Sequence, residues 1–98
     1  MHNSASLRHQ LKPSRIFRLS LVEDNPTDVL LLHEALDSSA FCFEITHKAN
    51  LAECRRAIAA ESFDAVIADL NLPDSSGLET ILGIRSAAPD VATIEVTG

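Results

Sequence analysis

The stretch from Ala65 to Gly77, AVIADLNLPDSSG, limits what this chain can fold into more than any other. It begins as a short apolar run and stops at a carboxylate, Asp69. Asn71, Pro73, Asp74, Ser75, Ser76 and Gly77 then follow, a density of turn formers that argues against regular structure. The pattern predicts a buried strand, Phe63 to Leu70, feeding a surface loop. In an open α/β sheet, ligands bind in the crevice outside the carboxyl ends of the strands, so an acid at such an end is placed for chemistry. An Asp there is also an ordinary turn former, and only its companions decide between the two.

The order of elements supplies those companions. Residues 1 to 14 include Asn3, Ser4, Ser6, Pro13 and Ser14 without a sustained period and read as a flexible basic leader; one ordered domain is expected over 15 to 98. Ile16, Phe17, Leu19, Leu21 and Val22 form a β-prone run that ends at Glu23 and Asp24. Asn25 or Asp24 can cap the next helix, and Pro26 suits its first turn. From Thr27 to about Ser38, Val29, Leu31, Leu32, Ala35 and Leu36 share one stripe, which predicts that helix, with His33 at the polar margin. Phe41 to Ala49 alternates Phe41, Phe43, Ile45 with Cys42, Glu44, Thr46, the period of a half-buried edge strand, and His47 continues its polar side.

Asn50 then caps a second helix packing through Leu51, Cys54 and Ile58. After the Asp69 loop, Leu78 to about Ala87 is expected to pack through Leu78, Ile81 and Leu82, ended by Pro89 and Asp90, and Val91 to Thr97 is the last strand. The order β-α-β-α-β-α-β with right-handed crossovers gives a parallel sheet covered on both faces.

Composition narrows the function. Ninety-eight residues suit one small domain. No apolar run approaches the roughly 18 residues of a membrane span and no signal-peptide core follows Met1, so a cytoplasmic chain without a membrane partner is expected. Residues 1 to 22 carry four basic residues and no acid, and read either as an organellar transit segment or as a frayed terminus. The rest holds four basic residues against fourteen acidic ones, a net of −10, which argues against direct nucleic-acid binding by the domain. Cys42 and Cys54 lack metal-ligand spacing and are expected to be reduced, packed thiols, with no zinc.

Adjacent parallel strands bring their carboxyl ends together. Glu23 and Asp24 would then sit beside Asp69 and beside Thr97 at the end of the fourth strand. Two like charges about 4 Å apart repel by roughly 4 kcal/mol at an effective dielectric near 20, so three carboxylates call for a cation. Oxygen-only ligands with vacant positions favour Mg²⁺, and a carboxylate beside such an ion can accept a phosphoryl group.

LVEDNPTD near the start, DAVIADLNLPDSSG in the middle and EVTG at the end resemble the receiver domain of two-component response regulators, over about residues 16 to 98. The resemblance implies a flavodoxin-like three-layer α/β fold with sheet order 2-1-3-4, like that of chemotaxis regulators. It implies a regulated phosphoprotein and not an enzyme, capable at most of self-phosphorylation and autodephosphorylation. Asp69 would take the phosphoryl group from a sensor histidine kinase or phosphotransfer protein. Asp24, Asp69 and the backbone carbonyl of Asn71 would ligate Mg²⁺, with Glu23 acting through a water, and Thr97 would donate its hydroxyl to a phosphoryl oxygen. Pro73 would stiffen the loop, and Gly77 would open the third helix and admit close backbone approach.

The chain also departs from that pattern. A complete receiver continues with a fourth helix, a fifth strand and a fifth helix, and the fifth strand carries a Lys that pairs with the phosphoryl group; Lys48, on the second strand, is misplaced for that role. The chain reads either as part of a longer receiver or as a degenerate, non-phosphorylated interaction module. Thr93 and Glu95 interrupt the last strand and leave Ala92, Ile94 and Val96 on one face, which suits an edge in water. Pairing of that edge with a second copy, with or without swapped elements, is the expected cover. A haloacid-dehalogenase-like phosphohydrolase would want a second Asp two residues after Asp69, where this chain has Asn71.

Overall fold

A computed structural model describes residues 15–96. The strands are β1 (Ile16–Val22), β2 (Cys42–Lys48), β3 (Ala65–Asp69), the short β4 (Asn71–Leu72) and β5 (Ser75–Ser76), and β6 (Ala92–Val96); the helices are α1 (Pro26–Asp37), α2 (Leu51–Ala60) and α3 (Leu78–Ala87). The main sheet is parallel in the order β2-β1-β3-β6. This is the expected 2-1-3-4 arrangement, a flavodoxin-like α/β fold.

The period of two divides the central strands between two cores. Val22, Val66 and Ala68 face one side, where Cys54 and Ile58 of α2, Ile84 of α3 and Leu72 complete a buried cluster. Leu19, Leu21 and Ile67 face the other, packed by Val29, Leu32 and Leu36 of α1 with Phe43, Ile45 and Val96. Each fully buried aliphatic side chain in these clusters contributes about 2 kcal/mol. Among the described residues no helix is long and apolar enough to cross a membrane.

Two helices present different faces from those expected. In α1 the working line is Val29, Leu32 and Leu36, whereas Leu31 is 57% exposed and Ala35 also faces water. Among the described elements α1 is the only helix on its side of the sheet, so it touches the core along one narrow seam instead of a broad stripe. In α3, Leu78 and Leu82 are 67% and 55% exposed, while Thr80 and Ile84 are buried. Gly83 accounts for the rotation: a Cβ there would stand 2.9 Å from Leu51 Cδ2, so its absence lets α3 lie close to α2 and turns Thr80 and Ile84 inward. Cys54 is buried as expected, but Cys42 is exposed because β2 is an edge strand.

The Asp69 loop is more regular than its composition implied. Asn71 and Leu72 pair antiparallel with Ser76 and Ser75 around Pro73 and Asp74, and this small hairpin carries Leu72 into the core at 8% exposed. Gly77 closes it with φ 55° and ψ −128°, and an added Cβ would meet nothing within 4 Å. Its role is therefore conformational, and the close approach expected there is absent. Gly77→Ala should lower stability by about 1–2 kcal/mol through backbone strain alone, read as a fall in urea midpoint with an unchanged slope. An unchanged midpoint would mean the turn does not need this conformation.

At the amino ends of the strands Arg18 ties three segments together. Its guanidinium donates to Glu61 (2.9 Å), Glu44 (3.3 Å) and the Ser62 carbonyl (2.7 Å), and lies 5.1 Å from the centre of the Phe63 ring. Asp64 accepts the Arg18 backbone N–H and pairs with Arg15; the Arg18 N–H is the main cause holding its carboxyl below the usual range. At the far edge, Ala92, Ile94 and Val96 of β6 share one face as expected, and Ala92, Ile94 and Glu95 are exposed while Val96 packs into the core.

Candidate functional site: an acidic cleft at the carboxyl ends of the strands

Strand order builds the site. From β1 the chain moves outward to β2 and then returns to β3 on the other side, so a crevice opens between the ends of β1 and β3, where Val22 pairs with Ala68. Glu23 and Asp24 follow β1, and Asp69 ends β3. One carboxylate oxygen from each lies within 4.8 Å of the others. The cleft between them measures about 270 Å³ and is lined by Glu23, Asp24, Asn25, Asp28, Asp69 and Asn71. A larger hollow between α2 and α3, lined by Ala52, Arg55, Arg56, Ala59 and Ala87, has no such convergence of groups.

Local hydrogen bonds assign each acid its task. The helix cap falls to Asn25, whose side chain accepts the Thr27 N–H at 2.9 Å, with Pro26 in the first turn. Asp24 is thus relieved of capping and stands exposed at the mouth of the cleft. Glu23 is 2% exposed, and its Oε1 accepts the Asn25 N–H at 3.0 Å. Asp69 is 7% exposed, and its Oδ1 accepts the Asn71 N–H at 3.0 Å, a tight Asx turn that orients the carboxylate. Thr97 lies outside the described residues, though its neighbour Val96 pairs with Asp69.

Two contributors were not singled out by the sequence reading. Asp28 adds a fourth carboxylate from the first turn of α1; its spacing of four from Asp24 was the available signal. His47 does more than continue an alternation, because its Nε2 lies 2.6 Å from the Glu23 carbonyl. A carbonyl only accepts, so Nε2 carries the proton. Together with the Glu23 N–H donated to the Lys48 carbonyl (3.1 Å), this fixes the Glu23 backbone against β2.

Asp74 anchors the loop that follows Asp69. Its two oxygens accept the N–H groups of Leu51 (2.8 Å) and Ala52 (3.0 Å), while Asn50 Oδ1 accepts that of Glu53 (2.9 Å) and the Asn50 carbonyl that of Cys54 (3.2 Å). All four first amides of α2 are satisfied, and the loop is held to that helix. The Leu51 N–H is the main cause that lowers the Asp74 carboxyl below its ordinary value. A lowered folded value means stabilisation present above the ordinary Asp pKa and lost as pH falls through the folded one. Asp74→Ala should cost about 1 kcal/mol at neutral pH and less in acid, measured by urea melts across pH; an equal cost at all pH values would contradict the ionic cap.

Burial is the main cause that pushes the Glu23 carboxyl above its ordinary value, opposed by the Asn25 N–H and aided by Asp69 and Asp28. Ionising Glu23 is then costlier in the folded chain than in the unfolded one. That stability is present below the ordinary Glu pKa and disappears as pH rises through the raised folded value. In chelator, Glu23→Gln should therefore stabilise the protein at neutral pH and leave it unchanged well below the Glu pKa; a neutral-pH loss of stability would show that the Asn25 contact outweighs the crowding.

The donor set fits Mg²⁺. An octahedral ion with oxygens at about 2.1 Å needs ligand pairs separated by about 3 to 4 Å, a small contraction from the observed spread. The three acids are hard oxygen donors, and among the described residues no Lys or Arg lines the cleft to neutralise them.

Comparison with known proteins shows the same fold. The family model described as "Response regulator receiver domain" matches residues 19–98. Hybrid signal transduction histidine kinase B of Dictyostelium discoideum is 28% identical over 71 residues, covering 72% of this chain and 4% of that protein, so the chain spans a small fraction of this curated relative. Among solved structures, a sensor protein from Polaromonas sp. JS666 superposes with TM-score 0.69 at 30% identity, over 88% of this chain and 67% of that one. The receiver domain of a sensor histidine kinase from Pseudomonas aeruginosa, solved with a magnesium ion in its active-site cleft, gives TM-score 0.72 at 25% identity over 83% and 66%. A CheY-like receiver domain from Methylobacillus flagellatus gives 0.72 at 26% over 86% and 71%. The chain belongs to the response regulator receiver domain family of two-component signalling.

Proposed function

We propose that this chain is a phosphoacceptor module of a two-component phosphorelay, in which Asp69 receives a phosphoryl group from a sensor histidine kinase or phosphotransfer protein. The observation that carries the reading is the convergence of Glu23, Asp24 and Asp69 in one cleft. Asp69 Oδ1 is held by the Asn71 amide, which leaves Oδ2 free of a backbone donor and available as the nucleophile. Attack on a phosphohistidine forms a P–O bond as the P–N bond breaks, and the electron pair leaves with the imidazole, which takes up a proton. Asp24, Asp69 and the Asn71 carbonyl would hold Mg²⁺, with Glu23 acting through a water. When bound, the ion supplies positive charge against the oxygens of the transferring group. Thr97 would hydrogen-bond the acquired phosphoryl group. The module regulates and does not turn over substrates beyond its own phosphorylation and hydrolysis, and a cytoplasmic location would go with such partners.

The absence of a Lys or Arg from the lining of the cleft, among the described residues, favours a second reading: a receiver-like module kept for docking, with phosphorylation lost. The two separate on exposure to phosphoramidate with Mg²⁺. Under the first reading, an acyl phosphate forms, is cleaved by hydroxylamine and maps to Asp69 after borohydride reduction. Under the second, no phosphoryl group is taken up with the metal saturating.

A further inference from the structure

The β1–β2 ladder runs out at the acidic pair, and a side chain takes over there. Parallel pairing sets Leu21 beside His47 and Val22 beside Lys48, and the Glu23 N–H continues the pattern by donating to the Lys48 carbonyl at 3.1 Å. In a parallel ladder, a residue that donates in this way accepts in turn from the residue two further along the partner strand, which here is Asn50. Lys48 is the last residue of β2, and Asn50 is already the N-cap of α2. The Glu23 carbonyl meets His47 Nε2 instead, at 2.6 Å.

That carbonyl is half of the peptide joining Glu23 to Asp24. A peptide is planar, so fixing its oxygen fixes the plane and the direction in which the chain leaves toward Asp24. The two acids are otherwise held unequally. Glu23 is buried and its Oε1 accepts the Asn25 N–H at 3.0 Å, whereas Asp24 is exposed and leaves the cap of α1 to Asn25. The Asp24 carboxylate therefore takes its position from the backbone beneath it, and His47 grips that backbone. His47 is itself exposed and belongs to neither buried cluster, so its contribution is the hydrogen bond and not packing.

We propose that His47 is a positioning residue for the metal site: its Nε2–H holds the Glu23–Asp24 peptide so that both carboxylates are spaced for Mg²⁺ before the ion arrives. This role rests on the cleft being a Mg²⁺ site, and adds to that reading a residue outside the ligand set. Mg²⁺ demands near-ideal octahedral geometry at about 2.1 Å, whereas Ca²⁺ accepts a larger and more flexible shell of oxygens. A ligand left free to wander thus costs Mg²⁺ more than Ca²⁺, and His47 sets selectivity as well as affinity. Groups that orient a ligand without touching the metal are worth about 10- to 100-fold in affinity, and an exposed residue belongs at the lower end.

Reach separates the replacements. The side-chain amide nitrogen of Gln extends about as far as Nε2 of His, and that of Asn only about as far as Nδ1. In calorimetric titrations of the full chain, His47→Asn should bind Mg²⁺ about tenfold more weakly than wild type and lose less for Ca²⁺, so the ratio of the two affinities falls. His47→Gln, with the donor restored, should bind Mg²⁺ within about threefold of wild type. Melts in chelator should show both variants folded, since residue 47 fills no core. Unchanged Mg²⁺ affinity in both variants, an equal loss in both, an equal loss for both ions, or failure of His47→Asn to fold would each overturn the assignment while leaving the cleft a metal site. Absence of Mg²⁺ binding by wild type would instead remove the reading of the cleft, and this role with it.

Discussion

Asp69→Asn should take up no phosphoryl group, a loss on the order of 100-fold or more against wild type, while folding normally. The amide is not a nucleophile, yet its Oδ1 can still accept the Asn71 N–H that shapes the turn after β3. Removing one charge from the cleft should leave the metal-free protein at least as stable as wild type. Mass spectrometry after phosphoramidate treatment checks the first part and a thermal melt in chelator the second. Phosphorylation of the variant at another carboxylate would remove Asp69 from its proposed role. A large drop in stability would mean that the charge itself, and not only the turn, holds the end of β3 in place.

The second large effect belongs to Asp24. Asp24→Asn should weaken Mg²⁺ binding by about tenfold or more, the loss of one carboxylate ligand, and should raise metal-free stability. Two full charges about 4 Å apart repel by roughly 4 kcal/mol at an effective dielectric near 20, but Asp24 is exposed, and solvent screening reduces the expected gain to about 1 kcal/mol. For a domain of this size that is a rise of roughly 4–8 °C in melting temperature. Calorimetric titration with Mg²⁺ and melts in chelator measure the two quantities separately. Opposite signs mark a metal ligand. A simple loss of stability with unchanged Mg²⁺ affinity would return Asp24 to helix capping, a task the structure gives to Asn25.

Both expectations descend from features legible in the sequence. The β3 run with its terminal Asp, the alternation of the β2 edge strand and the cap at Asn50 are local and appear where their spacing placed them, while the structure decides for Asn25 over Asp24 as the first cap. The parallel sheet followed from connection rules, and its strand order from the resemblance to receiver domains. What the sequence reading missed depends on relations between elements. The inward face of α3 is decided by Gly83 against Leu51 of α2, and the stripe of α3 alone pointed to Leu78 and Leu82. Only the parallel register brings His47 to the Glu23 carbonyl, while Asp28 joins the cleft from the first turn of α1. The β4–β5 hairpin is built from residues that disfavour strands, and it forms because Leu72 is buried and Asp74 is tied to α2.

The most direct test is the melting temperature with Mg²⁺ and beryllofluoride, which together mimic an aspartyl phosphate. At about one hundred times the dissociation constant a ligand adds about 2.7 kcal/mol, so wild type should melt on the order of 10 °C higher with both ligands than with Mg²⁺ alone. Asp69→Asn should show only the Mg²⁺ effect. No added shift in wild type, or an equal shift in the variant, would contradict the account.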